Sequence, residues 1–251
     1  MRILLVSDIH ANLEALDACL AAAPPYDLAV NLGDIVGYGA SPNEATERCR
    51  DLGTIFVRGN HDKAVTGLID LEDFNPMAAT AAIWTRNELT PKNLDWLRAL
   101  PHGPVPLPDF PDVQFVHGSP NDEDEYVVSL ADALAPLVML TVPLTFFGHT
   151  HLQGGFFING SSADAFRPEY RTVAKAESVP FWLKPSTRYL INPGSVGQPR
   201  DGDWRAAFAL FDTDAQVVHF HRAPYNLKSA QDRIFDARLP LRLATRLAAG
   251  R

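Results

Sequence analysis

Short apolar runs that stop at a polar or glycine residue recur along this chain, and most are followed by a stretch with helical periodicity. Residues 2–7 are the first such run, too short for a signal peptide or a membrane span, and they read as a buried strand. Residues 27–32, 54–57, 113–116 and 143–147 repeat the pattern. Between them, Leu13, Leu16, Ala18 and Leu20 outline an apolar helix face, a second helix starts near Asn43, and residues 63–100 read as largely helical. Thr90-Pro91 supplies a cap and first-turn pair, and Trp84 and Trp96 read as core. The proline-punctuated residues 101–111 predict loops with one short edge strand, and residues 130–140 another helix.

Further on, residues 154–158 and 188–191 read as strands, and residues 206–212 and 216–221 as a hairpin. His219 and His221 on that hairpin read as structural. Residues 159–185 mix Ser, Ala, Arg and Pro with aromatics and read either as a surface excursion or as a flap facing a substrate. Residues 227–251 form a helical segment broken at Pro240, its basic residues marking the solvated face of a docked helix. Strands alternating with helices indicate an α/β fold, and the length suits a single domain over residues 1–251.

The strand ends carry the chemistry. The first delivers Asp8 and His10, whose spacing lets two side chains of an extended segment face one point; a helix cap and a loop histidine would suit them equally well. The second ends in Gly33-Asp34, where a turn aspartate is the plain alternative, and the third in Gly59-Asn60-His61-Asp62. The fourth ends at His117, before the acidic loop 121–126, and the fifth at Gly148-His149-Thr150-His151, where the same two-residue spacing lets both imidazoles face one site. Asp8, His10, Asp34, Asn60, His117, His149 and His151 form a mixed nitrogen and oxygen donor set without thiolate, suited to Mn, Fe or Zn. They are too many for one catalytic ion and suit two divalent transition-metal ions sharing a carboxylate.

Composition narrows the remaining choices. The chain has 22 Lys and Arg against 30 Asp and Glu, a formal net charge of −8, and no basic face for nucleic acid is expected. If it handles phosphate, the positive charge must come largely from metal. No run is long enough to span a bilayer, so a cytoplasmic protein without membrane contact is expected, while homo-oligomer formation stays open. Cys19 and Cys49 form no C-x-x-C pair and read as small buried hydrophobes.

The motifs D-x-H, G-D, G-N-H-D, a strand-end histidine and G-H-T-H, in that order over about residues 1–160, resemble those of the calcineurin-like metallophosphoesterase superfamily. The stretches G-D-I-V-G-Y-G and N-P-G-S-V-G-Q-P-R look like a bacterial and archaeal subgroup of small phosphodiesterases and phosphatases. The resemblance implies a four-layer sandwich of two mixed β-sheets flanked by helices. It implies that Asp8, His10 and His151 hold one metal, that Asn60, His117 and His149 hold another, and that Asp34 bridges them. It places His61 near the leaving group, oriented by Asp62, with Mn the favoured metal. The implied activity is hydrolysis of a small phosphodiester, phosphomonoester or nucleotide anhydride by metal-activated water, with loops 35–43, 121–126 and 192–203 rimming the site. Arg200 could meet the phosphate or brace its loop through Asp201 and Asp203. A dinucleoside polyphosphate hydrolase is a narrower alternative; a non-catalytic binding module and a nuclease of the same fold are the rivals.

Overall fold

The structure is a computed structural model describing residues 1–53, 55–72 and 74–251. Its strands are β1 (Arg2–Val6), β2 (Leu28–Asn31), β3 (Ile55–Phe56), β4 (Val105–Leu107), β5 (Phe110–Phe115), β6 (Leu144–Phe146), β7 (Gly154–Asn159), β8 (Ser162–Phe166), β9 (Glu177–Trp182), β10 (Arg188–Asn192), β11 (Ala206–Asp212) and β12 (Val217–Ala223). The helices are α1 (Leu13–Ala22), α2 (Pro42–Leu52), α3 (Asn60–Thr66), α4 (Pro76–Glu88), α5 (Pro91–Arg98), α6 (Leu130–Met139), α7 (Leu227–Asp236) and α8 (Leu241–Thr245), followed by a 3₁₀ turn, Arg246–Ala249. The predicted start of the third strand at residue 54, and residue 73 within the expected helical run, lie outside the described residues.

Two mixed sheets of six strands result, ordered β3-β2-β1-β11-β12-β9 and β4-β5-β6-β10-β7-β8. Alternation along β1 sorts the core. Ile3 and Leu5 face the space between the sheets with Val30, Phe115, Phe146 and Phe211, whereas Leu4 and Val6 face the helical layer with Leu16, Cys19 and Ala45. A third cluster joins Ala133 and Leu137 of α6 to Phe147 and Leu190 on the other outer face. The predicted four-layer α/β sandwich is the observed architecture. On α1 the fully buried positions are Ala15, Leu16 and Cys19; of the face read from the pattern Leu16 is buried, while Leu13, Ala18 and Leu20 are half-buried.

Residues 159–185 are neither an excursion nor a flap. They contribute the last strand of each sheet, β8 pairing antiparallel with β7 and β9 with β12. Phe166 stacks on Phe181 with ring centroids 3.8 Å apart, joining the two edges. Burial alternates along β9, with Ser178, Pro180 and Trp182 on its exposed face, and the proline there suits an edge strand. The short edge strand expected among the prolines is β4, at the opposite edge of the second sheet.

The parallel strands β1, β2 and β3 all end toward one pole, as do β5 and β6, which run parallel to each other. Loops after these ends meet there and lock together through their backbones. Asp8 and His10 amides donate to the Gly33 and Asp34 carbonyls, and those of Val196 and Gly197 to the Ser7 and Asp8 carbonyls. Gly197 packs so tightly that a Cβ there would overlap the Ile9 carbonyl oxygen. Gly197→Ala should therefore cost about 2 kcal/mol or more of stability, at the severe end of single substitutions. A melting temperature equal to that of the parent protein would contradict this packing.

Candidate metal centre and active site

The functional side chains stand on loop tips with unusual backbones. β1 stops at Val6, and Asp8 and His10 have φ of 52° and 49°; Asp34, His149 and His151 have φ of 54°, 67° and 60°. Left-handed geometry costs a non-glycine residue roughly 1–2 kcal/mol, so five such residues at one pole mark a site held against its local preference. The extended backbone read for D-x-H and H-T-H is thereby corrected: Asp8 and His10 do converge, from left-handed residues, whereas His149 and His151 turn to different neighbours.

Two groups of potential ligand atoms form, each lying within 4.8 Å of one another: Asp8, His10, Asp34 and His151, and Asp34, His117 and His149. Asp34 is common to both. Its Oδ2 lies 3.6 Å from His10 Nε2 and 3.5 Å from His117 Nε2, while its Oδ1 accepts the His61 amide at 2.8 Å. Asn60 lines the same cleft as His149, and its side-chain oxygen is buried with no hydrogen-bond partner among the described residues. A buried carbonyl oxygen left bare is costly in protein alone and suits a cation.

Backbone carbonyls set the imidazole tautomers. A carbonyl can only accept, so the nitrogen facing it carries the proton: Nδ1 of His10 toward Val36 (3.1 Å), of His117 toward Leu32 (2.7 Å) and of His151 toward Gln198 (2.6 Å). Each Nε2 is then turned inward. His149 is reversed, with Nε2 donating to the Asp124 carbonyl at 3.1 Å and Nδ1 turned inward. Such outer hydrogen bonds are what orients metal-binding histidines. His10 Nε2 and His151 Nε2 lie 3.0 Å apart, and His117 Nε2 and His149 Nδ1 3.1 Å. Two nitrogens each about 2.1 Å from one ion and at right angles would be about 3.0 Å apart, so the donor pairs fit a metal of the proposed type.

Charge in this pole is strongly perturbed. Burial holds His10, His149 and His151 well below the usual imidazole range, keeping them neutral as ligands must be. Burial likewise lowers His61 to about 4. For His117 burial is outweighed by Asp34 and Asp8, which raise it to about 9. Burial, with the Asp34 charge adding to it, lifts Asp8 to about 7. Burial would raise Asp34 too, but His117 and His61 bring it well below the carboxylate range.

The remaining predicted residues divide. His61 borders the cleft, its ring 4.4 Å from that of Tyr38 and 5.1 Å from that of Phe74, with Nδ1 buried and unpartnered. Asp62 does not touch the imidazole. Its carboxylate accepts the amides of Gly59, Asp34, Ile35 and Val36 at 2.9–3.3 Å, so it braces the Asp34 loop instead of orienting His61. Arg200 does not brace its loop through Asp201 and Asp203, because Arg222 and Arg205 take those carboxylates. Its guanidinium turns toward Tyr38 and Gln198.

A family model described as the calcineurin-like phosphoesterase superfamily domain matches residues 1–216. The chain belongs to this superfamily. An uncharacterized protein of Methanocaldococcus jannaschii is 37% identical over 99% of this chain and 98% of its own length. The crystal structure of a metallophosphoesterase from Sphaerobacter thermophilus is 42% identical, covers 100% of this chain and 99% of its own, and superposes with a TM-score of 0.84. A hypothetical protein from Pyrococcus horikoshii shares the fold at 19% identity, with a TM-score of 0.78 and coverage of 100% and 98%. Phosphoesterases of this superfamily are metal-dependent hydrolases, and the Asp and His groups could bind such metals.

Sequence reasoning missed three parts of this phosphoesterase site. Tyr38 and Tyr126 line the cleft, of about 600 Å³, and Tyr126 stacks 3.7 Å from the His149 ring. An aromatic inside the glycine-rich loop 35–43 was the available signal for Tyr38. The third part is an ion cluster tying the acidic loop to α3, in which Lys63, only 4% exposed, pairs with Glu123 at 2.9 Å and Asp124 at 2.5 Å, and Arg58 with Glu123 at 2.9 Å. The cluster holds the loop whose Asp124 carbonyl orients His149. Burial alone would raise Glu123, but hydrogen bonds from Arg58 and Lys63 bring it down to about 2, from an ordinary 4.5. A carboxylate depressed in the folded state stabilises fully above its unfolded value and loses that contribution as pH falls toward the folded one. Glu123→Gln should thus melt below the parent protein at neutral pH, with the gap narrowing between about pH 4.5 and about pH 2. A gap that does not change over this window would show that Glu123 is held by packing alone.

Proposed function

We propose that this chain is a dinuclear phosphoesterase that hydrolyses a small phosphate ester or anhydride. The observation that carries the reading is the pair of ligand groups sharing Asp34, with the bare Asn60 oxygen beside them. The first ion would be held by Asp8, His10, Asp34 and His151, and the second by Asp34, Asn60, His117 and His149. When bound, two divalent transition-metal ions, Mn best suited to these donors, withdraw charge from phosphoryl oxygens and make water a better nucleophile near neutral pH.

The protein's own groups do the rest. The carbonyls of Val36, Leu32, Gln198 and Asp124 hold each imidazole at the required angle. His61, beside Asn60 on the cleft, meets the phosphoryl group or leaving oxygen as a hydrogen-bond donor. Tyr38, Tyr126 and Phe74 wall the cleft and limit it to small substrates. A small phosphodiester, a phosphomonoester or a nucleotide anhydride fits this volume, and the acidic surface argues against polynucleotides.

Metal content tests the centre directly. Chelated protein reconstituted with Mn should bind two ions per chain by elemental analysis, and Asp34→Ala should lose affinity for both; a single ion, or two retained with full activity in the variant, would refute the shared carboxylate. His61→Ala should retain its metal yet hydrolyse alkyl phosphate esters about 10²–10⁴-fold more slowly. Its loss on nitrophenyl esters, whose leaving group needs little help, should be smaller. Release of metal by this variant would make His61 a ligand.

A further inference from the structure

Four backbone carbonyls orient the candidate metal-binding imidazoles, and three of them belong to segments tied down by backbone hydrogen bonds. The Leu32 amide donates to the Val6 carbonyl, the Asp34 and Ile35 carbonyls accept the His10 and Ala11 amides, and the loop bearing Gln198 is bound to Ser7 and Asp8. The fourth carbonyl, that of Asp124, is held differently. Among the described residues, every backbone–backbone hydrogen bond of residues 119–126 stays within that loop, the amides of Ser119 and Glu125 both donating to the Asp122 carbonyl.

The loop is fastened to its neighbours through charged side chains. Glu123 takes two nitrogens of Arg58 at 3.0 and 2.9 Å, with the mostly exposed His102 further off at 3.6 Å. Lys63 Nζ reaches Glu123 at 2.9 Å and Asp124 at 2.5 Å. It alone bridges both acids, and it is only 4% exposed, whereas a lysine is ordinarily left at the surface. Without it, Asp124 has no cation beside it and Glu123 keeps Arg58. The helix that carries Lys63, α3, begins with Asn60, so one short helix supplies a candidate donor for the second ion and the cation that fixes the loop. The loop in turn grips His149 twice. Its Asp124 carbonyl accepts Nε2 at 3.1 Å, and its Tyr126 ring lies 3.7 Å from the imidazole.

We propose that Lys63 is a positioning residue for the second metal ion. By holding Glu123 and Asp124 against α3 it fixes the angle and tautomer of His149, so affinity at Asp34, Asn60, His117 and His149 depends on it, while affinity at Asp8, His10, Asp34 and His151 does not. The inference rests on the dinuclear reading above. It makes the two positions unequal: the first is built on backbone contacts, and the second is completed only when a loop fastened by charge is in place. Hydrogen-bond partners behind metal-binding histidines are commonly worth about 10–100-fold in metal affinity.

Titration of chelated protein with Mn, followed by calorimetry and by the paramagnetic resonance signal of spin-coupled Mn pairs, tests the assignment. Lys63→Met should keep the first ion at parent affinity and bind the second about 10–100-fold more weakly, its coupled-pair signal rising only at correspondingly higher Mn. Lys63→Arg, which restores the charge, should recover part of the loss, and Lys92→Met, which removes an exposed lysine of α5, should match the parent. Asp124→Asn keeps the carbonyl and the Arg58–Glu123 pair, so it should fold as the parent does and weaken the second ion by a smaller factor. Parent affinity for both ions in Lys63→Met or in Asp124→Asn, an equal loss at both positions, or no recovery with arginine would overturn the proposal. In metal-free protein, imidazole nitrogen NMR should find His149 protonated at Nε2 in the parent and exchanging between tautomers in Lys63→Met. This measurement keeps the two readings apart: a parent protein that binds a single ion ends the dinuclear reading, whereas an unchanged His149 tautomer in Lys63→Met ends the role of Lys63.

Discussion

Three aspartates, Asp8, Asp34 and Asp62, are at most 1% exposed and crowd into one pole of the sandwich. An ionised carboxylate taken from water costs several kcal/mol unless something replaces its solvent shell. The structure answers differently for each. Asp62 is solvated by four backbone amides, Asp8 by the Ser7 hydroxyl and the His149 amide, and Asp34 by the His61 amide and two imidazoles. The first two are held by short hydrogen bonds from the protein, whereas Asp34 Oδ2 faces the His10 and His117 imidazoles at 3.6 and 3.5 Å. That shared position between two imidazoles sets the character of the site.

The loop after β10 matters as much as the ligand loops. Ser195 donates from its hydroxyl to the Asp8 carbonyl and accepts the Gln198 amide, and Asn12 donates to the Gly197 carbonyl. Asn192 reaches the Gly148 carbonyl at 2.7 Å, so this loop touches the ligand loops at both Asp8 and His149. It was expected to rim the site. It functions as a clamp that holds left-handed residues in place, and Gly197 is required where its backbone meets that of Ile9. Asp62 does the same for the Asp34 loop, which explains an aspartate beside His61 without any contact between their side chains.

Further from the centre, charge is handled in pairs. Glu123 with Arg58 and Lys63, and Asp201 and Asp203 with Arg222 and Arg205, lock loops without leaving free charge. Tyr170 reinforces the second cluster, its hydroxyl donating to Gln153 and its ring lying 5.1 Å from the Arg205 guanidinium.

Much of the fold was legible because strands and helices announce themselves through local patterns: apolar runs ending at candidate ligand residues, and the Thr90 cap, which accepts the Asn93 amide. The same locality made every metal-donor candidate findable, since each sits at a strand end. Edge strands β8 and β9 were missed because an edge needs few buried residues. The sequence by itself determined the α/β architecture, the superfamily and the candidate donor residues. Only the tertiary structure showed how the backbone brings these donors together, through left-handed residues at Asp8, His10, Asp34, His149 and His151 in place of the extended alternation that spacing implies. It alone decided what Asp62 and Arg200 touch, and that Arg246 reaches Tyr38 from more than two hundred residues away. Such contacts are set by packing between distant segments, and no local pattern encodes them.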